Sequence, residues 1–188
     1  MAKKHLMPPE PSPDAPAYCS GLWIGEVREI NNCYAYAVND RRPYRRIYFP
    51  QPGGKSGLSD QQHKLRNVQQ LIWCAERDGL IRAFLPVAKP GCYLVALAVT
   101  KESSMSGAPC CYHWYRQDLD GFWSHKDAND PVMKRDASGD RIVDPRTCDR
   151  GLYERFVSFF YVPKVGLRVE TTQEYPQTPL LLPQPKFR

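Results

Sequence analysis

The stretch CCYHWYRQDLDGFWSHK, residues 110–126, decides the fold that we predict for this chain. It contains two of the four histidines, His113 and His125, within two runs rich in aromatic residues, which favour β-strands. The pair Asp120-Gly121 separates the two runs and predicts a turn. The stretch is therefore expected to form a β-hairpin with one histidine on each strand.

The length of this turn decides whether the two histidines share a face of the hairpin. In a three-residue loop, Leu119–Gly121, glycine takes the left-handed position and Tyr115 lies opposite His125. His113 is then the diagonal neighbour of His125 on the same face, roughly 7–8 Å away by backbone. A two-residue turn would instead place the imidazoles on opposite faces, because side chains alternate along a strand. A shared site therefore depends on the longer loop.

Length and composition predict one folded domain with two tails. The chain has 188 residues, of which 42% are hydrophobic and 12% aromatic, enough to bury a single core. Proline-rich segments at 1–17 and 168–188 flank a predicted domain at 18–167. We expect the tails to be extended and to pack loosely or stay mobile, with capture of a protein partner as the alternative.

Charge and cysteine content narrow the class of protein. The net charge of +6 is modest and dispersed, so we expect no nucleic-acid partner. The seven cysteines form no CxxC pair, which argues against a disulfide scaffold and favours synthesis in the cytoplasm. No apolar run is long enough for a transmembrane segment, and the N-terminus shows no Sec-type signal. Export, if it occurs, is expected to use a non-Sec route.

A short helix is predicted to begin at Cys33. Asn31 and Asn32 are good helix caps, and the alanine-rich run that follows suits a helix. In the first helical turn the unpaired N–H groups favour a thiolate, so we expect the pKa of Cys33 to be lowered and the residue to suit a nucleophile. The alternative is a buried structural cysteine beside the cap.

The remaining patterns indicate an α+β fold with an antiparallel sheet. A capping box at Ser59 opens a helix whose apolar stripe runs on to Gly79. The run 91–99 is uniformly apolar and predicts a central strand covered on both faces. Further strands are predicted at 81–85 and 153–162.

The order of Cys33, His113 and His125 resembles that of the papain-like cysteine hydrolase superfamily, most closely the NlpC/P60-like and CHAP-related peptidases and amidases. The segment Pro90-Gly91-Cys92-Tyr93 is similar to the strand entry that precedes the histidine strand in these families, and the resemblance covers residues 22–162. It implies an antiparallel sheet packed against an N-terminal helix that carries the cysteine.

The resemblance also implies catalytic roles. Cys33 would attack an amide carbonyl, His113 would carry the proton to the leaving amine, and His125 would orient the imidazole. Asp118 and Asn129 remain alternatives for the orienting group. No cofactor and no metal are predicted for this reaction.

Peptide substrates, with bacterial cell-wall peptides (peptidoglycan) as the leading class, follow from the same resemblance. A secreted effector toxin or a phage lytic factor would fit a small domain of this kind. The alternatives are a non-catalytic papain-like binding or structural module, and an effector that deamidates or crosslinks proteins. A zinc site is disfavoured because adjacent cysteines point to opposite faces of a strand. Its ligands would be Cys33, Cys110, Cys111, His113 and His125.

Overall fold

Six antiparallel strands form the frame of the molecule, which a computed structural model describes at residues 8–42, 49–65, 67–101, 111–172 and 181–183. The helices are α1 (Gly25–Ile30), α2 (Cys33–Ala37), α3 (Asp60–Leu65) and α4 (Val68–Arg77). The strands are β1 (Ile81–Ala83), β2 (Cys92–Val99), β3 (Tyr112–Gln117), β4 (Trp123–Lys126), β5 (Val132–Met133) and β6 (Arg155–Pro163). Two short 3-10 helices lie at Ser20–Leu22 and Gly54–Ser56.

The strands form one sheet in the order β1-β6-β2-β3-β4-β5, and neighbouring strands are antiparallel. The predicted α+β class with an antiparallel sheet is therefore confirmed. Strand β2 is buried from Tyr93 to Val99, because helices cover one face of the sheet and a long connection covers the other. The C-terminal strand β6 inserts between β1 and β2.

The hairpin β3–β4 has the predicted register. Tyr115 lies opposite His125, and the Asp118 amide donates to the Phe122 carbonyl at 2.8 Å across the loop. Gly121 has φ +83°, the left-handed conformation that the three-residue loop requires. The two histidines consequently share one face of the hairpin.

The single helix predicted from Ser59 to Gly79 is wrong, since the structure has two helices there. The break comes at Asn67, whose side chain accepts a hydrogen bond from the Gln70 amide while the Gln70 side chain accepts one from the Asn67 amide. This reciprocal pair is a capping box, which begins α4 afresh. The apolar side of α4 then packs with α2 against one face of the sheet.

Parts of both predicted tails contact the folded domain. Ala15 is buried, the Leu119 amide donates to the Pro16 carbonyl at 3.0 Å, and Pro50 forms an isolated antiparallel bridge with Thr171. Most of the proline-rich C-terminal stretch lies outside the described residues. Among the described residues, no helix has the length and apolar character that crossing a bilayer would require.

Candidate functional site

The five residues of α2 are all buried, and Cys33 is the first of them. Asn32 caps the helix: its Oδ1 accepts from the Ala35 amide at 3.1 Å. Its Nδ2 donates to the Pro50 carbonyl at 2.9 Å, which ties the start of α2 to the neighbouring loop. One asparagine thus fixes both the direction and the position of the helix that carries Cys33.

Tyrosine side chains tie the rest of α2 to the sheet and to α4. The Tyr36 hydroxyl lies 2.6 Å from Ser124 Oγ on β4 and accepts from Arg116 Nη2 on β3 at 2.9 Å. The Tyr34 hydroxyl donates to Asp78 at the end of α4 at 2.8 Å. The position of Cys33 is therefore set by contacts to three separate elements.

The Cys33 sulfur lies against β3 at Trp114, next to the residue at which the pairing of β3 with β4 ends. It accepts hydrogen bonds from the backbone N–H groups of Trp114 and Tyr34. The Trp114 N–H belongs to the peptide bond that joins His113 to Trp114. Burial nevertheless raises the pKa of the Cys33 thiol to about 12, and the Asp127 carboxylate raises it further. The predicted lowering of this pKa is wrong, because the desolvation of a nearly inaccessible sulfur outweighs the N–H groups of a five-residue helix.

The two hairpin histidines are hydrogen-bonded to one another. Nε2 of His113 lies 2.8 Å from Nδ1 of His125, and Nε2 of His125 lies 3.0 Å from the Arg135 carbonyl. His113 is almost fully buried, and its ring stacks on Tyr153 with the centroids 4.7 Å apart and the planes at 20°. The pair therefore holds the His113 ring in one orientation.

The order of these contacts assigns the tautomers. A carbonyl only accepts, so Nε2 of His125 carries the hydrogen and its Nδ1 is an acceptor. Nε2 of His113 must then donate to that acceptor, which leaves Nδ1 of His113 as the unprotonated nitrogen. That nitrogen has no hydrogen-bond partner among the described residues. His113 is thus oriented with an unprotonated Nδ1 whose lone pair accepts no hydrogen bond from the described residues.

Asp127 is a common neighbour of Cys33 and His113. Its Oδ1 lies 4.0 Å from Nδ1 of His113, and its charge acts on the Cys33 thiol. Burial and the adjacent His125 lower the pKa of His113 well below its usual value of 6.5. The resting pair is consequently a neutral thiol and a neutral imidazole. No hydrogen bond joins them within the described part of the chain.

The two alternative orienting groups lie elsewhere. The Asp118 carboxylate forms a buried ion pair with Arg116 at 2.9 Å, and Asn129 is exposed in a turn. Of the five candidate zinc ligands, Cys110 lies outside the described residues. The described residues contain no group of three or more His, Cys, Asp or Glu side chains placed to hold a metal ion.

Three residues near the site did not emerge from the sequence. Asp127 follows His125 by two positions, so the period of a strand could have placed both on one side. Lys126 is fully buried although lysine is normally exposed, and Tyr153 reaches His113 from a distant connection. Local sequence patterns carry no signal for either of the latter two.

The chain has a relative among known proteins. No protein-family profile matches the sequence, and no solved structure matches it. The chain is 39% identical over 140 residues to insoluble matrix shell protein 1 of Ruditapes philippinarum, an alignment that covers 74% of this chain and 84% of that protein. The chain therefore belongs to the family of insoluble matrix shell protein 1.

Proposed function

We propose that this chain is a cysteine hydrolase that cleaves amide bonds, with Cys33 as the nucleophile, His113 as the general base and His125 as the orienting group. The observation that carries the proposal is the hydrogen-bonded chain from Arg135 through His125 to His113, which leaves the Nδ1 lone pair free. Nucleophilic catalysis needs such a base, held in one tautomer, to reach the sulfur of the helix-borne cysteine.

The first chemical step is transfer of the thiol proton. The Cys33 sulfur loses its proton to Nδ1 of His113 as it attacks the substrate carbonyl, and the carbonyl oxygen becomes an oxyanion. The Asp127 carboxylate, 4.0 Å from Nδ1, stabilises the imidazolium that forms. Because no hydrogen bond joins the thiol and the imidazole among the described residues, substrate binding must bring these two groups closer before the transfer.

The second step releases the amine. The His113 imidazolium returns its proton to the leaving nitrogen, the C–N bond breaks, and an acyl thioester remains on Cys33. Water, deprotonated by the same Nδ1, then attacks the thioester and frees the acid and the thiol. The Cys33 backbone N–H at the helix start is a natural donor to the oxyanion.

The papain-like, NlpC/P60-like identity of the fold belongs to this proposal. It is supported by the antiparallel sheet with α2 packed on it and by the contact of Cys33 with the histidine strand. The contacts of Cys33 with Trp114 and Tyr34 do not select one amide over another. Cell-wall peptides as substrate, delivery as a toxin or phage factor, and deamidation or crosslinking as the reaction therefore stay predictions.

Turnover of defined amides tests the hydrolase proposal. Purified protein is incubated with peptidoglycan fragments and with a glutamine-rich protein, and the products are followed by mass spectrometry. Hydrolysis of peptide bonds or loss of side-chain amide nitrogen is expected with the wild type. Both should be abolished in Cys33→Ala and in His113→Gln, since each variant removes one partner of the proton transfer.

His125→Gln and Cys19→Ala complete this experiment. Loss of the orienting imidazole should lower kcat with little change in KM, because the base stays present but is no longer held. Cys19 is exposed, so its replacement should leave turnover unchanged. Products that persist in Cys33→Ala would refute the hydrolase proposal.

We propose as a second candidate that the chain is a constituent of an insoluble shell matrix. The observation that favours this role is the relative, whose name describes an insoluble matrix shell protein. The two roles are compatible, since an enzyme can be retained in the material on which it acts.

Sedimentation separates the structural role from the catalytic one. A structural constituent should pass from solution into a sedimenting fraction to the same extent in the wild type and in Cys33→Ala. Failure of both proteins to sediment over a wide concentration range would argue against the matrix role without bearing on catalysis.

A further inference from the structure

Lys126 is a fully buried lysine whose ammonium group contacts three backbone carbonyls. Its Nζ donates to the carbonyls of Arg28 at 2.5 Å, Asn31 at 2.6 Å and Ala128 at 2.5 Å. These three bonds use all the donors of an ammonium group. Since each acceptor is a neutral carbonyl, the contacts satisfy the donors and leave the positive charge unneutralised.

Two of these carbonyls belong to the backbone that leads into α2. Arg28 lies in the last turn of α1, where carbonyls lack a helical partner, and Asn31 is the residue that ends that helix. Asn31 also lies two positions before Cys33 in the chain. Lys126 therefore ties the entry to the cysteine helix directly to β4, the strand that also carries His125.

The charged groups around Lys126 come from three parts of the fold. Burial lowers the pKa of the Lys126 ammonium to about 8. A negatively charged Cys33 and the carboxylates of Asp130 and Asp127 raise this pKa, and the Arg28 guanidinium lowers it. The same charge acts in return on Cys33, whose pKa it lowers. Lys126 and Cys33 are thus electrostatically coupled across the α2–β4 contact.

We propose that Lys126 is a positioning residue for Cys33: its ammonium fixes the backbone that enters α2, and its charge favours the thiolate form of the sulfur. This inference rests on the proposed hydrolase function, because a thiolate matters only if Cys33 is a nucleophile. Three consecutive residues would then serve the site, with His125 orienting the imidazole, Lys126 supporting the sulfur and Asp127 facing Nδ1 of His113.

The pH dependence of Cys33 alkylation tests the coupling in the intact protein. Iodoacetamide labelling is mapped to Cys33 by mass spectrometry, and the logarithm of the rate is plotted against pH. With a constant environment the slope is one, because only the thiolate reacts. In the wild type the slope should fall below one near pH 8, because Lys126 loses its proton there and its positive charge no longer stabilises the thiolate.

Variants of Lys126 separate charge from structure. Lys126→Met should give a slope of one throughout and label roughly tenfold more slowly than the wild type near pH 7, with the two rates converging as the wild-type lysine deprotonates. Lys126→Arg keeps a charge that does not titrate, so it should also give a slope of one but label nearly as fast as the wild type near pH 7. Lys164→Met, which removes an exposed lysine, should reproduce the wild-type profile.

Two results would overturn the inference. One is a slope of one through pH 8 in the plot of the wild-type labelling rate. This measurement uses the wild type alone, so it remains decisive if Lys126→Met does not fold. The other is a Lys126→Met rate that differs from the wild type by the same factor at every pH, which is what a purely structural role predicts. Labelling uses no substrate, so failure of the hydrolase proposal would show only in the turnover assay.

Discussion

The His113–His125 pair shows how burial decides protonation at single residues. Burial lowers the pKa of both imidazoles, and the proximity of His125 lowers that of His113 still further. The carbonyl of Arg135 partly offsets the effect on His125. Both rings are consequently neutral near pH 7, the state in which one nitrogen of each donates and the other accepts.

Acid should therefore destabilise the protein through this pair. Between the lowered folded-state pKa and the unfolded value of 6.5, the unfolded chain binds more protons than the folded one. The free energy of unfolding should thus be at its full value above pH 6.5 and fall as the pH drops through that range. Urea unfolding at a series of pH values measures the loss.

The variant His113→Gln provides the matched comparison for this pH dependence. It removes the most strongly shifted imidazole, so its free energy of unfolding should depend less steeply on pH below 6.5 than that of the wild type. Equal steepness in both proteins would mean that other groups account for the acid sensitivity.

Gly54 is a position where the absence of a side chain is required. A Cβ added there would lie 2.0 Å from the Glu170 carbonyl oxygen, and the Glu170 backbone cannot shift without a loss of stability. Gly54→Ala should lower the free energy of unfolding by about 1–3 kcal/mol, the usual cost of overpacking. Gly21→Ala is the control, because nothing lies within 4 Å of its Cβ position. Thermal unfolding distinguishes the two, and equal stabilities would contradict the argument.

At the scale of elements, two asparagine caps begin two helices of different importance to the site. Asn32 caps α2 and also bonds the Pro50 carbonyl, whereas Asn67 caps α4 within a capping box. Asn32→Ala and Asn67→Ala should each cost about 1–2 kcal/mol of stability, measured by urea unfolding.

The same two variants should differ at Cys33. Removal of the Asn32 cap frees the start of α2, so alkylation of Cys33 should become faster as the sulfur gains exposure. Asn67→Ala should change that rate far less, since Asn67 caps the start of α4, whereas the bond from α4 to α2 is made at its other end, by Asp78 to Tyr34. An equal change in both variants would show that labelling reports global stability rather than the local cap.

Local patterns predicted the elements that carry the site. The hairpin register followed from one glycine in the left-handed position, and the short helix at Cys33 followed from its asparagine cap. Each depends on residues within one turn of the chain, which a sequence displays directly. The break at Asn67 also had a local signal, because an Asn three residues before a Gln is typical of a capping box. The apolar stripe that continues past this point favoured a single helix instead.

Long-range placement could not be predicted in the same way. The insertion of β6 between β1 and β2 joins residues that are far apart in the chain, and no local periodicity encodes it. Tyr153, which precedes β6, reaches His113 through that arrangement. Lys126 reaches the entry to α2 because α2 packs on β4, which is again a contact between distant parts of the chain. The Cys33 pKa depends on burial by the whole fold, which is why its rise to about 12 opposed the prediction from the helix start.

At the scale of the molecule, the N-terminal segment 8–16 supports the hairpin that carries both histidines. The Leu119 amide in the hairpin loop donates to the Pro16 carbonyl at 3.0 Å, and Gln117 Nε2 donates to the Pro9 carbonyl at 3.0 Å. Asp14 accepts from the Gly91 amide at 2.7 Å, at the entry to β2. The segment thus braces the loop end of the hairpin and the start of the central strand together.

Deletion of residues 1–16 should therefore lower the free energy of unfolding by about 2–4 kcal/mol, since it removes several hydrogen bonds worth about 1 kcal/mol each. It should also speed hydrogen exchange at the Leu119 amide, which loses its acceptor. Asp14→Ala removes the acceptor of the Gly91 amide and a surface ion pair with Lys164, and it should cost about 1 kcal/mol without affecting Leu119. Unchanged exchange at Leu119 in the deletion variant would mean that the hairpin holds its loop without this segment, and that the histidine pair is independent of it.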